Sequence, residues 1–274
     1  MKTRFILINT SHAGNVGATA RAMKTMGFDD LVLVAPRWAN VLRREETIQR
    51  ASGALHVLEN ARIVATLDEA LDGISHLCAT AMTPRDFGPP TRSPRAHFEM
   101  LLKSELPALM DKAPGVDLIQ KPVHTGIGFL FGSERFGMTN EDVYRCHVAL
   151  SIPTNPTFGS LNLGAAIQVI AYEWRMALGG FGEGAAAPGT ASAVDAAETA
   201  HAQTSPLADA AQVAGMLAHW ERALIDIGFL DPAAPKKLMP RLNQLFNRAQ
   251  LSPEEIHILR GVAKAMIEKA GAKR

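Results

Sequence analysis

The chain has almost no net charge: 28 Lys and Arg stand against 27 Asp and Glu in 274 residues, a formal net charge of +1 at pH 7. Nucleic-acid binding therefore cannot be read from the total, and any basic surface must be local. Cysteine is scarce. Cys78 and Cys146 lie far apart in sequence, each beside an apolar run, and no C-x-x-C or His/Cys cluster has the spacing of zinc ligands. The reading is two reduced core thiols and no metal. Long hydrophobic runs are missing too. Met1-Lys2-Thr3-Arg4 leads into a run too short for a signal segment or a membrane span, which predicts a cytoplasmic protein without a membrane partner. Neither G-x-G-x-x-G nor G-x-x-x-x-G-K-[ST] occurs, and no acidic residue follows the second predicted strand where a ribose hydroxyl would need it. A dinucleotide-dependent oxidoreductase fits poorly.

What is present is a rhythm. Short apolar runs at Phe5 to Ile8, Leu31 to Ala35, Arg62 to Ala65, His76 to Thr80, Ile127 to Phe131 and Val148 to Ile152 lack clean alternation. That favours parallel strands buried on both faces. Helical stretches separate them, such as Ala18 to Met26, stopped by Gly27. The alternation predicts an α/β domain over residues 1–177. From Gly179 to Ala208 the chain reads GGFGEGAAAPGTASAVDAAETAHAQTSPLA, with no Lys or Arg. Residues 178–206 are read as a flexible linker. Residues 207–274 are then purely helical in pattern. His219 to Gly228 and Lys236 to Ala249 supply two amphipathic helices. Ser252-Pro253-Glu254-Glu255 opens a third, with serine as N-cap, proline at N1 and Glu255 at N3. This module carries 10 basic residues against 7 acidic ones, concentrated on its last two helices.

Three loop stretches carry chemistry. Asn15-Val16-Gly17-Ala18-Thr19-Ala20-Arg21 stands at the mouth of the first helix. Glycines there could cradle a phosphate and Arg21 could touch one. Asn15 can cap the helix, Gly17 lets another backbone come close, and Arg21 is expected near the same side as the cap. Gly132-Ser133-Glu134-Arg135-Phe136-Gly137 directly follows a strand, where open α/β sheets bind ligands. Ser160-Leu161-Asn162-Leu163-Gly164-Ala165-Ala166 again joins a loop to a helix. Ser160 is a plausible N-cap, Asn162 is odd in a first helical turn, and the small residues permit close packing, as across a dimer axis.

Taken together and in this order, the three motifs resemble the SPOUT superfamily of RNA methyltransferases, in its 2′-O-ribose-methylating branch. The likeness covers roughly residues 4–177. The segments NTSHAGNVGATARAMKTMGF, GSERFGMTNEDVYRCH and SLNLGAAIQVIAYEWR, with the helical extension, are similar to the bacterial subfamily that methylates cytidine or uridine at position 32 of the tRNA anticodon loop. The resemblance implies a parallel sheet with a C-terminal trefoil knot, a homodimer, and S-adenosylmethionine as methyl donor with no metal. Its loops would hold that cofactor through Thr80, Ala81, Met82, Gly132, Ile152, Gly159, Ser160 and Leu161. Gly159 stands where a serine often precedes Ser160. Arg21 would grip the phosphate beside the target ribose; Asn15 would hold the ribose or orient Arg21; Glu134 would anchor the loop or Arg21; Ser160 and Asn162 would complete the target pocket. Arg37, Arg43, Arg44, Arg50, Arg85, Arg92 and Arg95 are candidates for tRNA phosphates. A ribosomal RNA methyltransferase of the same fold and a non-catalytic RNA-binding module are the alternatives.

Overall fold

A computed structural model describes residues 2–81, 83–103, 126–181 and 207–271. Strands β1 (Lys2–Ile8), β2 (Asp30–Val34), β3 (Arg62–Val64), β4 (His76–Thr80), β5 (Thr91–Arg92), β6 (Gly126–Phe131) and β7 (Val148–Leu150) form one sheet in the order β3-β2-β1-β6-β4-β7-β5. Every pairing is parallel. All six expected strands are there, with ends moved by three residues at most. The expectation missed β5, two residues in a proline-rich loop, because so short a strand has no periodicity to detect.

The reason for the unbroken apolar runs is visible in β1. Phe5 and Leu7 enter the core on one face of the sheet, Ile6 and Ile8 the core on the other, all four buried. Arg4, at 1% exposure, is the exception in that run. Its Nη1 donates to the carbonyls of Ala70 and Asp72, and its Nε donates to Asp30, so the buried guanidinium is paired and hydrogen-bonded.

Helix α1 (Ala13–Thr25) starts five residues before the expected position, with His12 as an N-cap that makes no side-chain cap bond. Asn15 is therefore inside the first turn and is not the cap. Gly27, at φ 71°, ends the helix, and Phe28 N–H closes back onto Met23 O at 2.9 Å. Gly17 faces α2 (Glu45–Ala51) so closely that a Cβ would lie 2.1 Å from the carbonyl oxygen of Thr47. Only glycine fits there. Between β2 and β4 lies α3 (Leu55–Glu59); α4 (Pro94–Leu102) follows β5, and α5 (Asn140–Tyr144) precedes β7.

After β7, α6 (Leu163–Ala177) runs back to pack on α1 and α4. Trp174 is fully buried there, and its Nε1 donates to Thr3 Oγ1 at 3.0 Å. A Cβ on Gly164 would stand 2.9 Å from Ala18 Cβ. The small-residue face thus serves, at Gly164, packing within the chain.

The C-terminal helices are α7 (Ala210–Asp226), α8 (Leu238–Ala249) and α9 (Pro253–Gly271). Asp209 and Gln212 cap α7 reciprocally, so it begins nine residues before the expected helix. Ser252 and Glu255 exchange the expected pair of hydrogen bonds at the start of α9. Val213, Met216, Leu217, Phe246 and Ile256 share a small core of their own. The expected linker lies, from residue 182 to residue 206, outside the described residues, as do Lys273 and Arg274.

Candidate active site

A cleft of about 640 Å³ opens at the carboxyl ends of β4, β6 and β7. Three stretches that are far apart in sequence line it: Asn15; Gly132, Ser133 and Glu134; and Gly159 to Asn162. Thr80, Ala81 and Ile152 are on its wall as well. Met82 lies outside the described residues. Phe131, Leu150 and Leu163 make the rest of the lining largely apolar, the usual character of a small-molecule site.

Glu134 organises one rim. Its Oε1 accepts hydrogen bonds from Thr10 Oγ1 at 2.8 Å, Asn15 Nδ2 at 3.0 Å and His12 N–H at 3.3 Å. Its Oε2 accepts from Ser11 N–H and Ser11 Oγ, both at 2.8 Å. Partial burial pushes this carboxyl up, but the bonds from Asn15 and Ser11 outweigh it and hold its pKa at about 2. The anion at the mouth of α1 is thus the chain's own carboxylate, favoured by the helix dipole. That position is filled, and a phosphate cradle is not what the glycines there build. Glu134 anchors the β1–α1 loop and makes no contact with Arg21. Asn15, inside the first turn of α1, spends its side-chain amide on Glu134.

Arg21 is the residue the sequence reading misplaced. Six residues are about 600° of helical rotation, or about 240° beyond a whole turn, so Arg21 and Asn15 face different ways. Arg21 is exposed on α1 and does not line this cleft.

The loop after β6 is pinched shut. Ser133 N–H donates to Gly137 O at 3.1 Å, and Gly137 N–H returns a bond to Ser133 O at 2.8 Å. A Cβ on Gly132 would lie 2.1 Å from Gly137 C, and Gly137 itself adopts φ 69°. On the other rim Asn162, and not Ser160, is the N-cap of α6: its Oδ1 accepts from Ala165 N–H at 2.8 Å. An asparagine that seemed ill-suited to a helix interior sits just outside it, where its side chain replaces a missing backbone acceptor. Ser160 stays on the cleft wall, two residues ahead.

Two polar atoms at the cleft are left for a ligand. Thr80 Oγ1 and Arg85 Nε are buried with no hydrogen-bond partner among the described residues. Arg85 was expected on RNA; it lines the cleft, tied only loosely to Met138 O at 3.4 Å. The other expected RNA-facing arginines are dispersed. Arg37 and Arg44 lie over the exposed Trp38 ring, at 4.9 and 4.6 Å from its centroid, and Arg43 and Arg50 are exposed nearby in sequence. Arg92 is partly buried beside His97. Arg95 is engaged by Glu173 in a two-bond ion pair of 2.8 and 3.0 Å. Trp38 carries no motif, and only the two guanidiniums around it single it out.

Residues 2–172 match the SpoU rRNA Methylase family, and residues 211–274 match the family described as tRNA methyltransferase TrmJ, C-terminal domain. A tRNA (cytidine/uridine/adenosine-2′-O-)-methyltransferase TrmJ from Pseudomonas aeruginosa (strain UCBPP-PA14) is 39% identical over 261 residues, 95% of this chain and 92% of that protein. A tRNA (cytidine/uridine-2′-O-)-methyltransferase TrmJ from Photorhabdus laumondii subsp. laumondii is 38% identical over 270 residues, 98% of each chain. Among solved structures, TrmJ from Z. mobilis ZM4 superposes with a TM-score of 0.73 at 28% identity, over 97% of this chain and 99% of that one.

Proposed function

The chain belongs to the SpoU methylase family, and from that premise we propose that it transfers a methyl group from S-adenosylmethionine to the ribose 2′-hydroxyl of cytidine or uridine in tRNA, at position 32 of the anticodon loop. The observation that carries the reading is the meeting of three distant motifs on one cleft at the strand ends. The TrmJ-type match over residues 211–274 favours tRNA over ribosomal RNA.

The residues present fit the methyl donor. The apolar walls suit its adenine, Thr80 Oγ1 is a buried hydroxyl without a partner among the described residues, and Gly132, having no Cβ to strike the Gly137 backbone, lets the loop after β6 close tightly beside the cleft. Thr80, Ala81, Gly132, Ile152, Gly159, Ser160 and Leu161 would hold it, with Met82 as a further candidate. Arg85 is the cation on the described cleft wall and suits the carboxylate of its methionine part. When bound, S-adenosylmethionine supplies a sulfonium-activated methyl group. Methyl transfer to an oxygen then needs positioning and electrostatic help more than covalent chemistry, and no metal.

Glu134 is not a general base, because five donors already use both its oxygens. It keeps the β1–α1 loop, and with it Asn15, against the cleft. Arg21 would neutralise the phosphate next to the target ribose and stabilise the developing alkoxide; a phosphate oxygen or water takes the proton, since a guanidinium keeps its own. We read Arg21 as serving the cleft of a second copy. Its absence from its own chain's cleft supports this, and so do Phe136 and Phe158, each 81% exposed beside that cleft. Ser160 and Asn162 would complete the ribose pocket. The chain divides into a catalytic unit, 1–177, a linker, 178–206, and a tRNA-binding helical unit, 207–274. A trefoil knot in the first unit is favoured by the return of α6 from β7, next to the β5 edge, to pack on α1 and α4.

The test is methyl transfer from labelled S-adenosylmethionine to unmodified tRNA transcripts, with the product mapped by nucleoside digestion. A 2′-O-methyl group at position 32, lost in Arg21→Ala, supports substrate, site and residue together. Transfer to ribosomal RNA fragments and not to tRNA would move the target while keeping the chemistry.

A further inference from the structure

At the opposite end of the sheet from the cleft, the fold assembles a cluster that sequence spacing does not announce. His76 and Cys78 are two residues apart on β4, so both side chains point to the same face. His97, on α4, comes down onto that face. One ring nitrogen of each histidine and the Cys78 sulfur all lie within 4.8 Å of one another, and the two Nε2 atoms are 3.0 Å apart. His76 and His97 are 1% exposed and Cys78 is fully buried. A lone thiol or a lone core histidine would be ordinary. Two imidazoles and a thiol converging from two elements form a donor set.

We propose that His76, Cys78 and His97 bind one divalent transition-metal ion of the zinc class, which staples α4 to β4. Nitrogen and sulfur donors select zinc, cobalt or copper over magnesium and calcium, which take oxygen. Tetrahedral zinc, with bonds of about 2.0–2.3 Å, sets its ligand atoms about 3.3–3.8 Å apart. The present separations reach that range with shifts of about 1 Å or less. Binding through both Nε2 atoms leaves the ring protons on the Nδ1 atoms, so Arg92 Nη1, now 3.5 Å from His97 Nδ1, turns aside when the ion binds. The Cys78 thiol loses its proton to solvent, so each ion bound releases one proton. A fourth position stays for water.

One further feature agrees with this. A cavity of about 390 Å³, lined by Arg92, His147 and Gln244 among others, reaches both His76 and His97 and offers a path from the seam with α8. The role is structural. The far end of β4 carries Thr80, on the cleft wall, so a firmly held β4 also holds that wall.

The experiment uses untagged, full-length protein treated with a chelator and then dialysed. Cobalt(II) is titrated in while the absorption spectrum is followed, and zinc is counted after equilibrium dialysis. The expected result is one ion per chain, with an intense near-ultraviolet band from a thiolate–cobalt bond that zinc erases. The band persists in Cys146→Ser and vanishes in Cys78→Ser, and zinc raises the unfolding temperature of the native chain by several degrees. The native chain decides the matter even if Cys78→Ser fails to fold. No retained ion, or bound cobalt without the thiolate band, overturns the proposal, as does a full-strength band in folded Cys78→Ser.

Discussion

At the carboxyl ends of β4, β6 and β7 a glycine-pinched loop and one multiply bonded carboxylate surround a cleft, and buried polar atoms there lack partners among the described residues. At the amino ends of β4 and β7 the polar groups have turned to one another: His76 meets His97, the His147 ring sits 4.7 Å from that of His76, and Leu77 N–H donates to His147 Nδ1 at 3.1 Å. The same strands therefore end in two kinds of polar chemistry. An unpartnered buried donor costs about 1–3 kcal/mol, which a ligand can recover on binding. The histidine cluster brings β4 and α4 together, and its effect is on rigidity. The contrast assigns recognition to one end and support to the other.

The sharpest way to break this comparison is Gly132→Ala. The added methyl collides with backbone at 2.1 Å, so the loop must open, at about 3 kcal/mol. Calorimetry should find S-adenosylhomocysteine binding weakened roughly hundredfold or more; unchanged binding would mean that the pinched loop does not shape the cleft. Arg21→Ala should slow methyl transfer about a hundredfold with cofactor affinity intact. Mixing it with Gly132→Ala chains should restore activity, since a mixed dimer then has one complete site; failure to restore it would return Arg21 to its own chain.

Glu134→Gln should destabilise the fold by about 1.5 kcal/mol at pH 7, a figure discounted for partial exposure. The folded carboxyl is held at about 2 against an ordinary 4.5, so its contribution is complete above pH 4.5 and disappears as pH falls toward 2. Denaturant unfolding of both proteins at several pH values should converge at low pH. A gap that persists at pH 2 would show that geometry and not charge is at stake. The smallest effect is expected at Trp38→Ala, which removes an exposed ring held by two arginines: about a fivefold rise in KM for tRNA with kcat unchanged. An equal fall in kcat would place Trp38 nearer the chemistry.

Much of this was legible from local pattern. Apolar runs without alternation could only be strands buried twice over, as Phe5 to Ile8 are. Ser252-Pro253-Glu254-Glu255 described its own cap, because every group involved lies within one helical turn. Gly17 was legible as a close approach, though not what it approaches; that Gly132 is one as well was not. Misplacements came where a distant residue claimed a side chain: Asn15 was taken up by Glu134, 119 positions away, and the capping role passed from Ser160 to Asn162 by loop geometry.

By itself, then, the sequence determined the parallel α/β character, the three loop motifs and the helical C-terminal part, since periodicity and capping are short-range properties of the backbone. Only the tertiary structure decided that Glu134 fills the mouth of α1, that Arg21 faces away from its own cleft, that Arg85 joins it, and that His76, Cys78 and His97 converge. Each of those depends on which strand lies beside which, and the order β3-β2-β1-β6-β4-β7-β5 is set by packing two cores at once, not by any local stretch of residues.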